Sequence, residues 1–437
     1  DLEARDNTGA TPLMWAAYAG STDVLRFLVE NGVDLEAHDE NGWTALLWAA
    51  GKGYADTVRV LVEKGANLEA KTLTDGCTAL TTAAREGHQN IVRVLVQKGA
   101  SLEAQDETGW TALLWAAANG HAAVVSVLVE NGAELEAKGT ANALTPLLCA
   151  ARNGHAAVVS VLVENGSELE AKDKKYGCTS LLWAASEGHA DVVRVLVEKE
   201  ANLESQSVEG STALMLAASK GHADVARVLV ENGANKEAKD NKGTTPLLWA
   251  AHNGHADLVR FLVEKGANLE AKDKKSMTAL HLAAGEGHAD VVSVLVEKGA
   301  NLEAKDEIGC TALIWAAATG HAAVVRFLVE NGADLEATSI HGTTPMPENA
   351  DLVRFLLEKR SNFQAGDNGS KTALLCAAEG GHAAVVKILV ENGADLAAKS
   401  ENGSTALISA AMRGAGDVVR FLVENGADLE ARDEELS

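Results

Sequence analysis

No apolar run in this sequence approaches the roughly 18 residues that a transmembrane helix needs, and no signal peptide is visible, so membrane insertion is not expected. Positive charge is scarce. The 38 Lys and Arg stand against 62 Asp and Glu, for a net charge of −24. A field of that sign repels phosphate backbones and anionic lipid, which argues against nucleic acid and membrane surfaces as partners. Cysteine is rare and odd in number: Cys77, Cys149, Cys178, Cys310 and Cys376 form no CxxC pair and no disulfide-style spacing. A reducing compartment, and with it a cytoplasmic location, is the expectation. Catalytic signatures are missing too. There is no GxSxG elbow, P-loop, HExxH or DxDxDG loop, so neither an enzyme nor a cofactor is expected.

The chain has a repeat instead. Aligning on the Thr of "TPL", "TAL" or "TSL" marks thirteen anchors, from Thr11, Thr44 and Thr78 through to Thr405, at steps of 33 or 34 residues. One step, Thr344 to Thr372, is only 28. A period of this length signals a stacked array and overrides a domain count taken from length. Each unit carries helical punctuation. Thr245 is placed as an N-cap, Pro246 follows at the first helical position, and Gly254 stops "LLWAAHN". His255 opens a second helix, "ADLVRFLVEK", which ends at Gly266, and "ANLEAKDKK" links to the next unit. Val-rich stretches such as "VVSVLV" suit strands, but the caps and the fixed period demand a short helix there. In "TDVLRFLVE", Val24, Leu25, Phe27, Leu28 and Val29 spread over more than half the helix circumference. Such a face needs cover from adjacent units, and a single unit should not fold alone.

The pattern G-x-T-P-L-x-x-A-A-x-x-G-H-x-x-V-V-x-x-L-V-x-x-G-A, read from Gly243 to Ala267, resembles the ankyrin repeat family over almost the whole chain. The nearest single unit is "TALHLAAGEGHADVVSVLVEKGANLEA" at 278–304. The resemblance implies an all-α solenoid of stacked antiparallel helix pairs, β-hairpin finger loops and a concave groove. It also implies an interaction scaffold for a protein or peptide, without catalysis.

Tryptophan recurs in one slot of the first helix: Trp15, Trp48, Trp115, Trp183, Trp249 and Trp315. Thr82, Cys149, Leu216, Leu282, Cys376 and Ser409 occupy that slot in other units. At about 100° per residue, Leu113, Ala116 and Ala117 share the packing face and Trp115 points about 160–200° away. In the family this side looks into the groove. The row either seals the inner surface or lines a contact site, with Trp43 and Trp110 adding to it near the finger bases. Fingers lengthened by one residue precede Thr78, Thr145 and Thr179, and Tyr176 is an exposed finger aromatic and a secondary contact candidate.

Other rows read as structural. The histidines after each mid-unit Gly, His88 through His382, are too far apart to converge on a metal and are expected to cap or to bond between loops. His281, matching the family's common histidine, is expected to be structural as well. The "LEA" glutamates, Glu3 through Glu430, read as a solvated charge row, or as an edge for a basic partner. Arg26, Arg59, Arg194, Arg227, Arg260, Arg326, Arg354 and Arg420 each precede a Glu by four residues, a spacing for weak exposed pairs.

Three segments follow: repeats 1–10 over 1–343, with 1–8 the tail of a preceding repeat; a truncated repeat over 344–366; and repeats 12–13 with the C-terminal end over 367–437. Pro347 falls where the first helix of the truncated unit should run, so a hinge is expected there. "DLEARD" at the start recurs at 428–433, so the chain reads as cut from a longer protein, and uncapped ends offer a route to self-association. Two other functions stay open: a structural spacer or spring, and the cytosolic ankyrin segment of a larger receptor, channel or effector.

Overall fold

In the computed structural model, residues 2–140, 142–339, 371–400 and 403–431 are described. Twenty-four helices run through them, alternately of 7–8 and of 9 residues. The β-hairpins expected at the fingers reduce, among the described residues, to one isolated antiparallel bridge between His38 and Thr44. The fingers close instead as tight turns. Asp106 N–H donates to Trp110 O at 3.0 Å, and Gly109 N–H returns to Asp106 O at 3.0 Å.

The first helix starts where its sequence says it should. Thr44 is extended (φ −84°, ψ 169°) and its hydroxyl accepts from Leu47 N–H at 3.4 Å. Thr111, Thr145 and Thr245 do the same, with Pro146 and Pro246 at the first turn, where no donor is needed. The second helix ends in a Schellman arrangement: Gly266 (φ 85°) donates to Val263 O and Ala267 donates to Leu262 O, both at 2.9 Å. "AAVVSVLVE" is helix from Ala122 to Glu130, with Val124, Val125, Val127 and Leu128 buried.

The chain divides into two compact bodies, Asp1–Ala213 with Arg227–Ala234, and Leu214–Ala226 with Asn235–Ser437. In the first body each first helix packs on the next, from Pro12–Tyr18 through Ala45–Lys52 to Ser180–Glu187, and the second helices form a parallel row. Leu47, Ala49, Ala50 and Leu61 are fully buried between the two rows. Each leucine contributes about 1.5–3 kcal/mol by its burial. Val24 and Phe27, on the first of the second helices, remain 53% and 61% exposed, whereas their counterparts Thr57 and Val60 are covered by the preceding unit.

The second body repeats the plan from Pro246–His252 and Ala256–Glu264 onward. The truncated unit at 344–366, and the hinge expected there, lie outside the described residues. The helices flanking it touch directly. Ala312–Thr319 packs on Ala373–Glu379, and Ala322–Glu330 packs on Ala383–Glu391.

Candidate partner-binding surface

The six tryptophans sit on the first-helix side away from the buried Leu and Ala positions, and each indole N–H has the same partner type. Trp15 donates to Asp6 Oδ2 at 2.8 Å, Trp48 to Asp39 at 3.3 Å and Trp115 to Asp106 at 2.8 Å. Trp183 donates to Asp173 at 3.0 Å, Trp249 to Asp240 at 3.0 Å and Trp315 to Asp306 at 2.9 Å. The partner is always the first residue of that unit's finger turn. Its other oxygen accepts finger backbone N–H groups: Asp106 Oδ1 takes Thr108 at 2.8 Å and Trp110 at 2.9 Å. One carboxylate therefore shapes the finger and pins the indole. Bonds from the hydroxyl and the N–H of Thr8, and from Trp15, hold the Asp6 carboxyl at about 2, below its ordinary 3.8.

These aspartates went unnoticed in the sequence, although the signal is there. Each stands nine residues before its Trp, or ten at Trp183, where the finger carries an extra residue. Where the slot holds Leu216 or Ser409, Ser207 or Ser400 stands nine residues before it. Asp273 before Leu282 is the exception, and its Oδ1 still accepts from Lys275 and Met277.

With the N–H committed, the rings remain. Trp43 lies 4.6 Å from Trp48 and Trp110 lies 4.7 Å from Trp115, so both finger-base tryptophans join the row. Tyr176 meets Trp183 edge-on at 5.7 Å and is 46% exposed. Trp15 and Trp48 are bridged by Tyr18, a residue the sequence reading missed, at 5.5 Å and 5.2 Å. Cations cover several rings: Lys52 over Tyr18 at 4.6 Å, Arg85 over Trp115 at 5.5 Å and Arg152 over Trp183 at 4.7 Å. Exposure falls from 51% at Trp15 to 8% at Trp315, and Trp48, Trp115, Trp183 and Trp249 are half-buried. Beside Leu282, a crevice of about 40 Å³ opens between His252, Glu286 and Trp315.

A model of ankyrin repeats in sets of three copies matches residues 1–72, 68–139, 136–207, 199–273, 267–339 and 346–433. The chain belongs to the ankyrin-repeat family. Ankyrin repeats are generally protein–protein interaction modules. The crystal structure of the human ASB11 ankyrin repeat domain is similar to this chain at 27% identity, with a TM-score of 0.47 over 52% of this chain and 99% of that one. No curated protein matches the sequence.

The glutamate row of this ankyrin array is not a free charge row. Its carboxylates accept a backbone N–H from the following unit, among them Glu36 from Asn67 and Glu69 from Ser101 at 2.8 Å, and Glu270 from Asn301 and Glu303 from Asp334 at 2.9 Å. Glu36, Glu69, Glu270 and Glu303 stay exposed, so the row is solvated as expected and links the units as well. The histidines do not cap their helices but link units: Nε2 of His121 meets Arg85 O at 3.0 Å and Nε2 of His288 meets His252 O at 3.0 Å. Gly254 (φ +79°) must be glycine on two counts, because a Cβ would also lie 2.7 Å from the His288 ring. The arginines also differ from expectation. Arg59 and Arg194 pair with Asp56 and Asp191, three residues earlier, and Arg260 pairs with Glu297 of the next unit.

His281 is structural. Its Nδ1 accepts from Thr278 N–H at 3.2 Å, which places the proton on Nε2, and Nε2 donates to Cys310 O at 3.0 Å. All five cysteines are buried free thiols. Burial pushes Cys77 and Cys178 up to about 11 and Cys149 and Cys376 up to about 12, and it raises Cys310 as well. Among the described residues, no group of three His, Cys, Asp or Glu side chains is placed to hold a metal ion.

Proposed function

We propose that this array binds an extended segment of a partner protein along its first helices, in the concave groove the family resemblance implies, with the fingers as a second contact. The carrying observation is the continuous, half-exposed aromatic set Trp15, Tyr18, Trp48 and Trp43, held in place by Asp6 and Asp39. Rings fixed before binding lose little freedom on contact, which favours affinity. The indole donors of Trp15 and Trp48 are already used, so these rings offer faces and edges to apolar side chains. Lys52, Arg85 and Arg152 lie beside the rings and suit neighbouring acidic ones. Aromatic anchors of this kind dominate binding energy when a partner excludes water from them.

Peptides selected by display against the whole chain, then titrated by tryptophan fluorescence, test the reading. W15A/Y18A, with its helical spectrum retained, is expected to weaken the selected peptides about tenfold or more, and R194A on a second helix to leave them unchanged. Equal affinity for wild type and W15A/Y18A would contradict groove binding and favour the spacer, a function for which the unit-to-unit Glu and His bonds are equally suited.

A further inference from the structure

We infer that the array runs directly from the unit anchored at Thr311 to the unit anchored at Thr372, and that residues 340–370 take the place, in the chain, of the three-residue tip of an ordinary finger. The glutamate, histidine and helix-packing links that join consecutive units are present between these two. Glu336 Oε1 accepts from Asp395 N–H at 2.9 Å, as Glu303 accepts from Asp334. His382 Nε2 meets Ala318 O at 2.9 Å, as His321 meets Gly285 O at 3.0 Å. A Cβ on Gly320 would lie 2.6 Å from the His382 ring, and one on Gly287 would lie 2.5 Å from His321. First helix packs on first helix and second on second. That leaves no room for a helix pair between them.

The finger itself closes between Ser339 and Lys371. Ser339 N–H donates to Lys371 O at 3.2 Å, as Asp306 donates to Cys310 O at 3.1 Å. Lys371 N–H donates back to Ser339 Oγ at 3.2 Å, as Cys310 donates to Asp306 Oδ1 at 2.8 Å. Ser339 and Lys371 are thus the first and last residues of a finger whose usual tip is three residues, as in 307–309. Exchanging 340–370 for three residues returns the interval between Thr311 and Thr372 to the 33 of a regular unit. The 28-residue step is then no defect in the stack, and the first-helix slots of Trp315 and Cys376 are neighbours.

Pulsed dipolar EPR on the full chain tests this, since introduced surface thiols label ahead of the buried native cysteines. Ser293, Arg326 and Lys387 are the fifth residues of their second helices, as is Arg260. Neighbouring helices lie about 8–10 Å apart, so an intervening unit adds a comparable length. The R326C/K387C distance is expected to match S293C/R326C, a pair in consecutive units. A distance matching R260C/R326C, a pair with one unit between, overturns the inference and restores a stacked unit or hinge at 344–366. Replacing 340–370 by Glu-Thr-Gly, the tip at 107–109, is expected to leave the R326C/K387C distance unchanged; a shortened distance overturns the inference as well.

Discussion

Trp115 donates its indole N–H to Asp106 at 2.8 Å, and the same carboxylate accepts the backbone of Thr108 and Trp110. The tryptophan that recurs down the chain is therefore a strut between helix and finger, as well as a ring offered to a partner. Asn at 106 keeps an oxygen for the turn but cannot also accept from the indole. D106N is expected to lose about 1–2 kcal/mol, the range of a hydrogen bond to a charged group that is partly solvated. In the W115F background, which lacks the donor, the cost should fall by about 1 kcal/mol in a double-mutant cycle of urea unfolding. An additive cycle would remove the strut.

The parts of the fold that were legible in the sequence are local. Thr111, Pro246 and Gly266 act within a turn of where they stand, and the Leu113, Ala116, Ala117 face follows from helical period alone. The Trp–Asp spacing was present but unread, because its meaning depends on the finger folding back over the helix. The partners of Glu36 and Glu303 left no signature, since a backbone N–H has no sequence code. The contact between Ala312–Thr319 and Ala373–Glu379 was hidden for another reason: a period counts residues along the chain, whereas packing follows space.

Glu303 joins its unit to the next through Asp334 N–H. E303A should weaken that coupling by about 0.5–1.5 kcal/mol, while E303Q, which retains an acceptor oxygen, should recover most of it. Hydrogen exchange of the Asp334 amide reads the bond directly. It should exchange faster in E303A and close to the wild-type rate in E303Q.

Glu200 sits at φ 63° where other units place glycine after the second helix, and its N–H still closes onto Val197 O at 3.0 Å. A left-handed conformation costs a side chain about 1–2 kcal/mol, partly offset by the greater unfolded-state freedom of glycine. E200G should therefore stabilise the protein by about 0.5–1 kcal/mol, read as a higher urea midpoint. A lower midpoint would mean that the position is unstrained.

Burial lowers the pKa of His281 below its ordinary 6.5, against the opposing pull of Asp306 and its bond to Cys310 O. The unfolded chain then takes up the proton first as pH falls. The stability that neutral His281 contributes is full above 6.5 and is lost as pH drops through the lower folded value. The urea midpoint of wild type should fall relative to H281L on acidification below 6.5, because leucine fills the equivalent slot of other units without titrating. Parallel profiles would show that His281 carries no such linkage.

Order in this chain belongs to the stack: Leu, Val and Ala faces are buried by neighbouring units, and Glu and His bond across unit boundaries. The most direct test is the circular dichroism of a lone unit, residues 278–310, in plain buffer. The account predicts a largely unfolded spectrum. A stable helical spectrum from that monomeric peptide would contradict it.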